Sequence, residues 1–450
     1  DTLISAKKIT SSDVLRVIRK ITWTTGTIYE MYRPDYSINK LSPQTNSSSL
    51  YKANFYVMNS DFRVYECIYN GASPSNSGAG VISLEEPTHT DLQPRLESDG
   101  YIWKYLYTIK PSDIIKFDSA EFIPVPANWS TNADVSDVRN AAVDGKIETI
   151  VIEDVTNATY QFSGTKNAVP IRGDGSDGLA SVTFINGKPS AVQVTNGGSG
   201  YSFGTLDLDD VVTGSGASFS VIVPPPGGHG ADIYRELGAN KVLVYSRIEN
   251  SDVTNPDFPT GNQFARIGII ENPQQFGSNN LLTNSSASGV YGLRLAGAAT
   301  TSMSVAVDGL ITQTVGVGST AVGQIIGYDP ITRSLQYWQD RSLATNDTSG
   351  NKPTFGYKLN RFTANPASGG NTNIIVTTTG GTETLSIDTG FTGVSTTVNS
   401  RTYYFGQTYN SGLANPEIEK YSGNIIYIDQ RPEVTRATNQ REDIKIILEF

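Results

Sequence analysis

Short apolar runs, separated by turn-forming residues, dominate this sequence. The clearest are residues 147–153, 241–248, 265–270 and 424–429, and each is rich in β-branched or aromatic residues. Apolar residues at every second position share one face of a strand, and β-branched and aromatic residues are typical of strands. The pattern therefore predicts a mainly β protein with several domains, built from antiparallel β sandwich or barrel modules with few short helices.

The end of the chain has the strictest alternation. Ile444, Ile446, Leu448 and Phe450 occupy every second position of the last segment. This spacing predicts a terminal strand held in a sheet, with Phe450 turned toward the core.

Only two segments predict helices. Residues 11–13 (Ser-Ser-Asp) form a cap signal, and apolar residues follow at helical spacing up to Ile18. The second segment, residues 231–237 before Gly238, is long enough for one or two turns.

Turn residues and composition divide the chain. Asn186-Gly187 favours a type I′ hairpin turn. Residues 329–333 predict a second turn, with Pro330 at its second position. Residues 224–228 (Pro-Pro-Pro-Gly-Gly) mark a module boundary. A chain of 450 residues exceeds the usual size of one core. We predict four parts: a core domain from residues 1–18, 231–276 and 416–450, a second β domain at 19–140, and inserted β modules at 141–230 and 277–415.

Charge and hydropathy exclude several partners. The net charge is −10 and the pI about 4.9, so the basic surface that nucleic acid requires is missing. Apolar runs stay below the roughly 20 residues that span a bilayer, and no secretion signal opens the chain. We expect neither nucleic acid nor membrane partners, further residues before Asp1, and a buried free thiol at Cys67.

The sequence offers little for catalysis. Its two histidines are His89 and His229, and His229, in a glycine-rich loop, is expected to be structural or solvated. No Gly-x-Ser-x-Gly elbow or P-loop ending is present. An Asp-Gly-Ser-Asp-Gly stretch from Asp174 has Ile185 where a calcium loop has Glu, which leaves a weak surface calcium site as an alternative. We expect no catalytic residue, cofactor or metal site, and thus no enzyme.

Aromatic residues recur at every second position from Tyr101 through Trp103 and Tyr105 to Tyr107. This spacing places them on one strand face. Such a face is typical of a core or a subunit interface, with sugar binding as the alternative.

Three segments resemble a known family. They are Tyr-Ser-Gly-Asn-Ile-Ile-Tyr-Ile-Asp-Gln-Arg-Pro at 421–432 with its continuation at 440–446, Asp-Gly-Tyr-Ile-Trp-Lys-Tyr-Leu at 99–106, and Tyr-Glu-Cys at 65–67. In this order they are similar to the baseplate wedge subunit of T-even-type contractile-tailed phages, the gene-eight product family. The two insertions have no counterpart in that family.

The resemblance implies a structural virion protein of the tail baseplate, assembled in the host cytoplasm. It also implies a homodimer that contacts other baseplate wedge proteins, with no catalytic residues. We expect Pro432 to end its strand and Arg431 to bind backbone carbonyls or a partner carboxylate. The interface or structural candidates are Tyr101, Trp103, Tyr105, Tyr427, Arg431, Pro432 and Phe450.

Two other function classes compete. A carbohydrate-binding or host-adhesion tail module is favoured by the polar insertions, where any host-surface glycan contact is expected, and by Tyr201, Tyr403 and Tyr404, which we expect to be exposed. A polysaccharide-cleaving tail enzyme ranks last, because neither a clear carboxylate pair nor a repeating period is present.

Overall fold

A computed structural model describes residues 3–208, 211–249, 263–297, 303–339, 360–437 and 440–450. They form a mainly β structure, 45% strand and 7% helix, with several antiparallel sheets, which confirms the predicted fold class. The helices are α1 (Pro111–Phe117), α2 (Ser136–Asn140) and α3 (Ile233–Glu236), with 3-10 turns at Ser11–Asp13, Leu50–Lys52, Pro74–Asn76 and Ala133–Val135.

The strands up to the second predicted insertion, in chain order, are β1 (Ser5–Lys7), β2 (Val14–Arg19), β3 (Tyr56–Met58), β4 (Arg63–Tyr69), β5 (Arg95–Leu96), β6 (Ile102–Thr108), β7 (Phe122–Pro124), β8 (Thr149–Asp154), β9 (Gly164–Gly173), β10 (Leu179–Ile185), β11 (Lys188–Asn196), β12 (Gly204–Leu206), β13 (Ser218–Ile222), β14 (Lys241–Ile248) and β15 (Gln263–Glu271). The later strands are β16 (Ser286–Ser288), β17 (Tyr291–Arg294), β18 (Leu310–Gly316), β19 (Ser319–Asp329), β20 (Ser334–Trp338), β21 (Asn373–Thr378), β22 (Gly381–Ser386), β23 (Gly393–Val398), β24 (Arg401–Tyr409), β25 (Leu413–Ala414), β26 (Asn424–Thr435) and β27 (Glu442–Glu449).

The chain divides into two compact units. The N-terminal unit contains Ser11–Tyr245 and Lys445–Phe450, and the C-terminal unit contains Asp1–Thr10 and Ser246–Ile444. The four-part division of the sequence stays a prediction.

The described residues of the N-terminal unit form two large hydrophobic cores and a small third cluster between β2, β14 and α1. The larger core lies around the sheet of order β3-β4-β6-β5 and includes Phe55, Trp103 and Trp129. The second large core lies in the first predicted insertion, around the sheet of order β11-β10-β9-β12, and includes Val182 and Phe184. Asn186 and Gly187 both have positive φ, at 50° and 76°, as the predicted hairpin between β10 and β11 requires.

The helix expected from Ser11 to Ile18 is wrong. A 3-10 turn at Ser11–Asp13 leads directly into β2, which lies between β14 and β7 in the sheet of order β27-β14-β2-β7. Val14, Val17 and Ile18 are β-branched and favour the extended backbone that this pairing supplies. The second expected helix is confirmed as α3, whereas α1 and α2 were not expected.

The C-terminal unit is built on a seven-stranded sheet of order β22-β21-β18-β19-β20-β17-β25. The expected hairpin at residues 329–333 joins β19 to β20, with Arg333 at a φ of 61°. The core of this unit includes Leu293, Ile325 and Leu335, all fully buried.

The terminal strand is confirmed as β27, with Ile444 and Ile446 buried. The expected burial of Phe450 is wrong, because its side chain is 82% exposed. The alternation that buries Ile444 and Ile446 ends with the strand, which stops at Glu449.

No helix within the described ranges is long and apolar enough to cross a membrane.

Candidate functional site

Strands β15 and β26 form a two-stranded antiparallel ribbon, which we call the isoleucine ribbon (Gln263–Glu271 with Asn424–Thr435). In the described part of the chain these strands pair only with each other. Ile425, Ile426 and Ile428 are 65%, 56% and 49% exposed. Neighbouring exposed isoleucines are unusual on a monomer surface and mark contact sites. The ribbon is therefore a candidate interaction surface.

The Arg431-Pro432 step does not end its strand, which corrects the expectation for Pro432. β26 continues to Thr435, and Phe264 pairs with Val434 while Arg266 pairs with Gln430. Residues 431–433 thus bulge opposite a single residue of β15. A bulge tolerates proline because its backbone N–H is not needed for the ladder.

Beside this bulge lies a small groove of about 210 Å³, lined by Arg431 and Pro432 together with Phe264, Ile267 and Ile444. Arg431 also forms an ion pair with Asp429, with 2.6 Å between Nε and Oδ2. The Arg431 side chain stays 47% exposed, so its guanidinium remains accessible to a partner.

The predicted candidates are divided between the two units. Tyr427, Arg431 and Pro432 belong to the isoleucine ribbon of the C-terminal unit, and Tyr427 is half-buried opposite Ile269. The other four candidates, Tyr101, Trp103, Tyr105 and Phe450, belong to the N-terminal unit.

Tyr101 and Trp103 lie in the larger core of the N-terminal unit. Both are fully buried, and their rings stack with centroids 5.3 Å apart. The Tyr101 hydroxyl donates to the Val81 carbonyl at 2.7 Å and accepts from the Tyr29 N–H at 3.0 Å. These contacts assign both residues to the core and not to an exposed surface.

The four aromatic residues do not share one face, which corrects that expectation. The pairing of β4 with β6 shifts between Tyr105 and Tyr107, so Leu106 is an additional residue on β6. This bulge reverses the alternation. Tyr105 packs on Tyr65 with centroids 5.8 Å apart, whereas Tyr107 packs on Trp129 at 6.5 Å.

A buried cluster of ionisable side chains, which the sequence did not predict, forms around Glu66 of β4. Nδ1 of His229 lies 2.8 Å from Oε2 of Glu66 and 2.8 Å from Oε1 of Glu236. Oε2 of Glu236 accepts the Gly230 N–H at 2.8 Å, and the Tyr32 ring packs edge-on against the imidazole at 4.8 Å. We call Glu66, His229 and Glu236 the Glu-His-Glu cluster. Among the His, Cys, Asp and Glu side chains in the described ranges, these three bring their possible ligand atoms close enough together to hold a metal ion.

The three groups change each other's protonation. Burial raises the pKa of Glu66, and the nearby Glu236 raises it further. Burial alone would lower the pKa of His229, but the two carboxylates outweigh it and raise it to about 10. Burial opposes ionisation of Glu236 as well, yet the hydrogen bond and charge of His229 lower its pKa.

The local sequence holds His229 and Glu236 in place. Asp232 caps α3, because its Oδ1 accepts the Tyr234 N–H at 3.1 Å, and the helix carries Glu236 back toward Gly230. His229 was expected to be a structural or solvated loop residue, and it is buried. The pairing with Glu66 depends on tertiary packing and had no signal in the sequence.

The stretch from Asp174, where a weak calcium site was the alternative to no metal site, makes internal contacts through its first carboxylate. The Asp174 carboxylate accepts the Ser202 hydroxyl at 2.5 Å and the Ser202 N–H at 2.9 Å. Cys67 is a buried free thiol, as expected.

No protein-family model, curated protein or solved structure matches this chain.

Proposed function

We propose that this chain is a structural subunit of a phage tail baseplate wedge that acts through protein–protein contacts and not through catalysis. The observation that carries the proposal is the isoleucine ribbon. Its exposed isoleucines lie in residues 421–432, the segment with the most specific resemblance to the wedge family. Covering these side chains stabilises a complex by roughly 25 cal/mol for each Å² removed from water.

The proposed partners are other baseplate wedge proteins and a second copy of this chain. The proposed location is the virion tail, after assembly in the host cytoplasm. Only 17% of the residues are charged, below the roughly 25% of an average domain, which reduces the desolvation that a large contact requires.

One of the observations that favoured the carbohydrate-binding alternative is wrong. Tyr201 was expected to be exposed, but it is buried, and its hydroxyl donates to the Ile171 carbonyl at 2.9 Å. Tyr403 and Tyr404 are only partly exposed. No observation in the described residues favours sugar binding over protein contact.

Sedimentation velocity of the purified chain, alone and mixed with the other wedge proteins of the same phage, tests the proposal. A dimer that enters a larger complex is the expected result. A monomer that sediments independently of those proteins overturns the proposal, and binding of an isolated insertion on a glycan array would then support the adhesion alternative.

A further inference from the structure

The Glu-His-Glu cluster leaves one buried carboxylate without a hydrogen bond. A single imidazole N–H can make a well-aligned hydrogen bond to only one of the two carboxylates. In this cluster Nδ1 of His229 bonds Glu236. Both carboxylate oxygens of Glu66 are buried without a hydrogen-bond partner, although Oε2 lies 2.8 Å from the ring nitrogen. A buried polar group normally has a hydrogen-bond partner, and a buried charge is paired or coordinates a metal.

We propose that Glu66, His229 and Glu236 bind one divalent transition-metal ion, with zinc as the first candidate. One oxygen from each carboxylate and Nδ1 of His229 lie within 4.8 Å of one another. Zinc bonds to imidazole nitrogen and carboxylate oxygen are about 2.1 Å long, which spaces tetrahedral ligands about 3.4 Å apart. The contacts of 2.8 Å therefore need to open by only about half an ångström around the ion.

The donor set selects the class of ion. Calcium and magnesium prefer oxygen ligands, whereas imidazole suits zinc, iron, copper and nickel. Two carboxylates balance both charges of a divalent ion when the imidazole is neutral.

Neighbouring groups hold the side chains of Glu236 and His229 in position, and one neighbouring lysine, Lys104, opposes cation binding. The Gly230 N–H holds the second oxygen of Glu236, and the Tyr32 ring holds the imidazole plane, as outer contacts do in metal sites. Lys104, mostly buried nearby, donates to the Leu92 carbonyl at 3.0 Å instead of to the cluster. The charge of Lys104 weakens cation binding.

The ion would act as a structural crosslink. Glu66 lies on β4, whereas His229 and Glu236 come after the Pro-Gly segment at 224–228, near the end of the first predicted insertion. One ion thus joins the sheet of β4 to the segment where the chain returns from the insertion. Structural metal sites of this kind contribute directly to folding stability.

Metal analysis and cobalt spectroscopy of the full chain test the proposal. The purified protein is stripped with a chelator, titrated separately with Zn²⁺ and Co²⁺, and followed by elemental analysis, melting temperature and visible absorption. We expect one equivalent of either ion per chain, a rise in melting temperature with Zn²⁺, and visible bands of protein-bound Co²⁺.

Matched histidine variants locate the ion. His229→Asn should abolish the Co²⁺ bands and the bound equivalent, whereas His89→Asn, which changes the other histidine of the chain, should keep both. Glu66→Gln gives a second test if His229→Asn does not fold. Absence of bound Zn²⁺ and Co²⁺ in the wild-type chain at excess metal, or bands that persist in His229→Asn, overturns the proposal.

Discussion

At the scale of single residues, the buried hydroxyl of Tyr101 makes a testable contribution to stability. Tyr101→Phe removes a group that bonds both Val81 and Tyr29 inside the core. We expect the free energy of unfolding to fall by about 1–3 kcal/mol, because a buried donor and a buried acceptor both lose their partner. Urea denaturation measures this change.

Tyr105→Phe is the matched control on the same strand. Its hydroxyl bonds the Thr108 hydroxyl at 2.8 Å at the exposed end of β6. Water replaces this bond, so we expect a change within about 0.5 kcal/mol. Equal losses in the two variants would contradict the assignment of Tyr101 to a buried hydrogen-bond network.

Arg431 allows folding and assembly to be separated. Arg431→Ala removes an exposed ion pair with Asp429, which is worth less than about 1 kcal/mol of folding stability. We expect an unchanged melting temperature and weaker entry into the wedge complex in sedimentation. Arg95→Ala, an exposed arginine with its own ion pairs, is the control and should leave both unchanged. Full assembly by Arg431→Ala would refute a role for the guanidinium in the contact.

At the scale of elements, local turn chemistry predicted more than apolar spacing did. Asn186-Gly187 formed its hairpin because two neighbouring residues decide the required positive φ angles. Apolar residues at 14, 15, 17 and 18 fit a helix as well as a strand, and the pairing of β2 with the distant β14 decided between them. The bulge at Leu106 left no trace in the spacing of the aromatic residues.

The isoleucine ribbon predicts a contact that polar substitution should weaken. The double variant Ile426→Ser with Ile428→Ser removes exposed apolar surface and should change the folding stability little. We expect the wedge complex to weaken by about 10-fold or more, because these side chains lose water only when a partner covers them.

Val317→Ser is the matched control for the ribbon variant. It changes a side chain of the same unit that is 84% exposed in the turn between β18 and β19. Sedimentation titrations compare the two proteins. Equal affinities for the wedge proteins would exclude the ribbon as their contact surface.

An ion-pair group connects β8 to the loop after Tyr32. Arg33, almost fully buried, pairs with Asp35 at 2.8 Å and Glu153 at 2.7 Å, and Lys40 bridges the same carboxylates. Burial would raise the pKa of Asp35, but Arg33 and Lys40 outweigh it and lower the pKa to about 2. They lower the pKa of Glu153 against its burial as well.

These lowered pKa values predict acid sensitivity. Ionised Asp35 and Glu153 stabilise the fold above their unfolded pKa values near 4, and this contribution is lost as the pH falls from about 4.5 to 2. Arg33→Met removes the charge that lowers these pKa values, so the loss of stability between about pH 4.5 and 2 should be smaller. We expect a difference of roughly 1 kcal/mol, because Asp35 is partly exposed and its charge is screened by solvent. Urea midpoints across this pH range measure it. Lys110→Met, which removes an exposed pair with Asp134, should behave like wild type.

At the scale of the whole molecule, the sequence predicted the fold class but not the Glu-His-Glu cluster. Strand alternation and turn residues are local properties, so they indicated a mainly β chain correctly. Glu66 and His229 lie far apart in the sequence, and only the packing of β4 against the segment before α3 brings them together. Burial in the cluster then shifts the pKa values of the imidazole and the carboxylates, which the local sequence around each residue does not indicate.

The two compact units predict unfolding in more than one step. Leu335 is fully buried in the core of the C-terminal unit, and Leu106 is fully buried in the larger core of the N-terminal unit. Truncation of a buried leucine to alanine lowers stability by about 2–5 kcal/mol. Leu335→Ala and Leu106→Ala should therefore lower different transitions in differential scanning calorimetry. Units that unfold as one cooperative body would instead give a single transition that both variants lower equally, which would contradict separate stability of the two units.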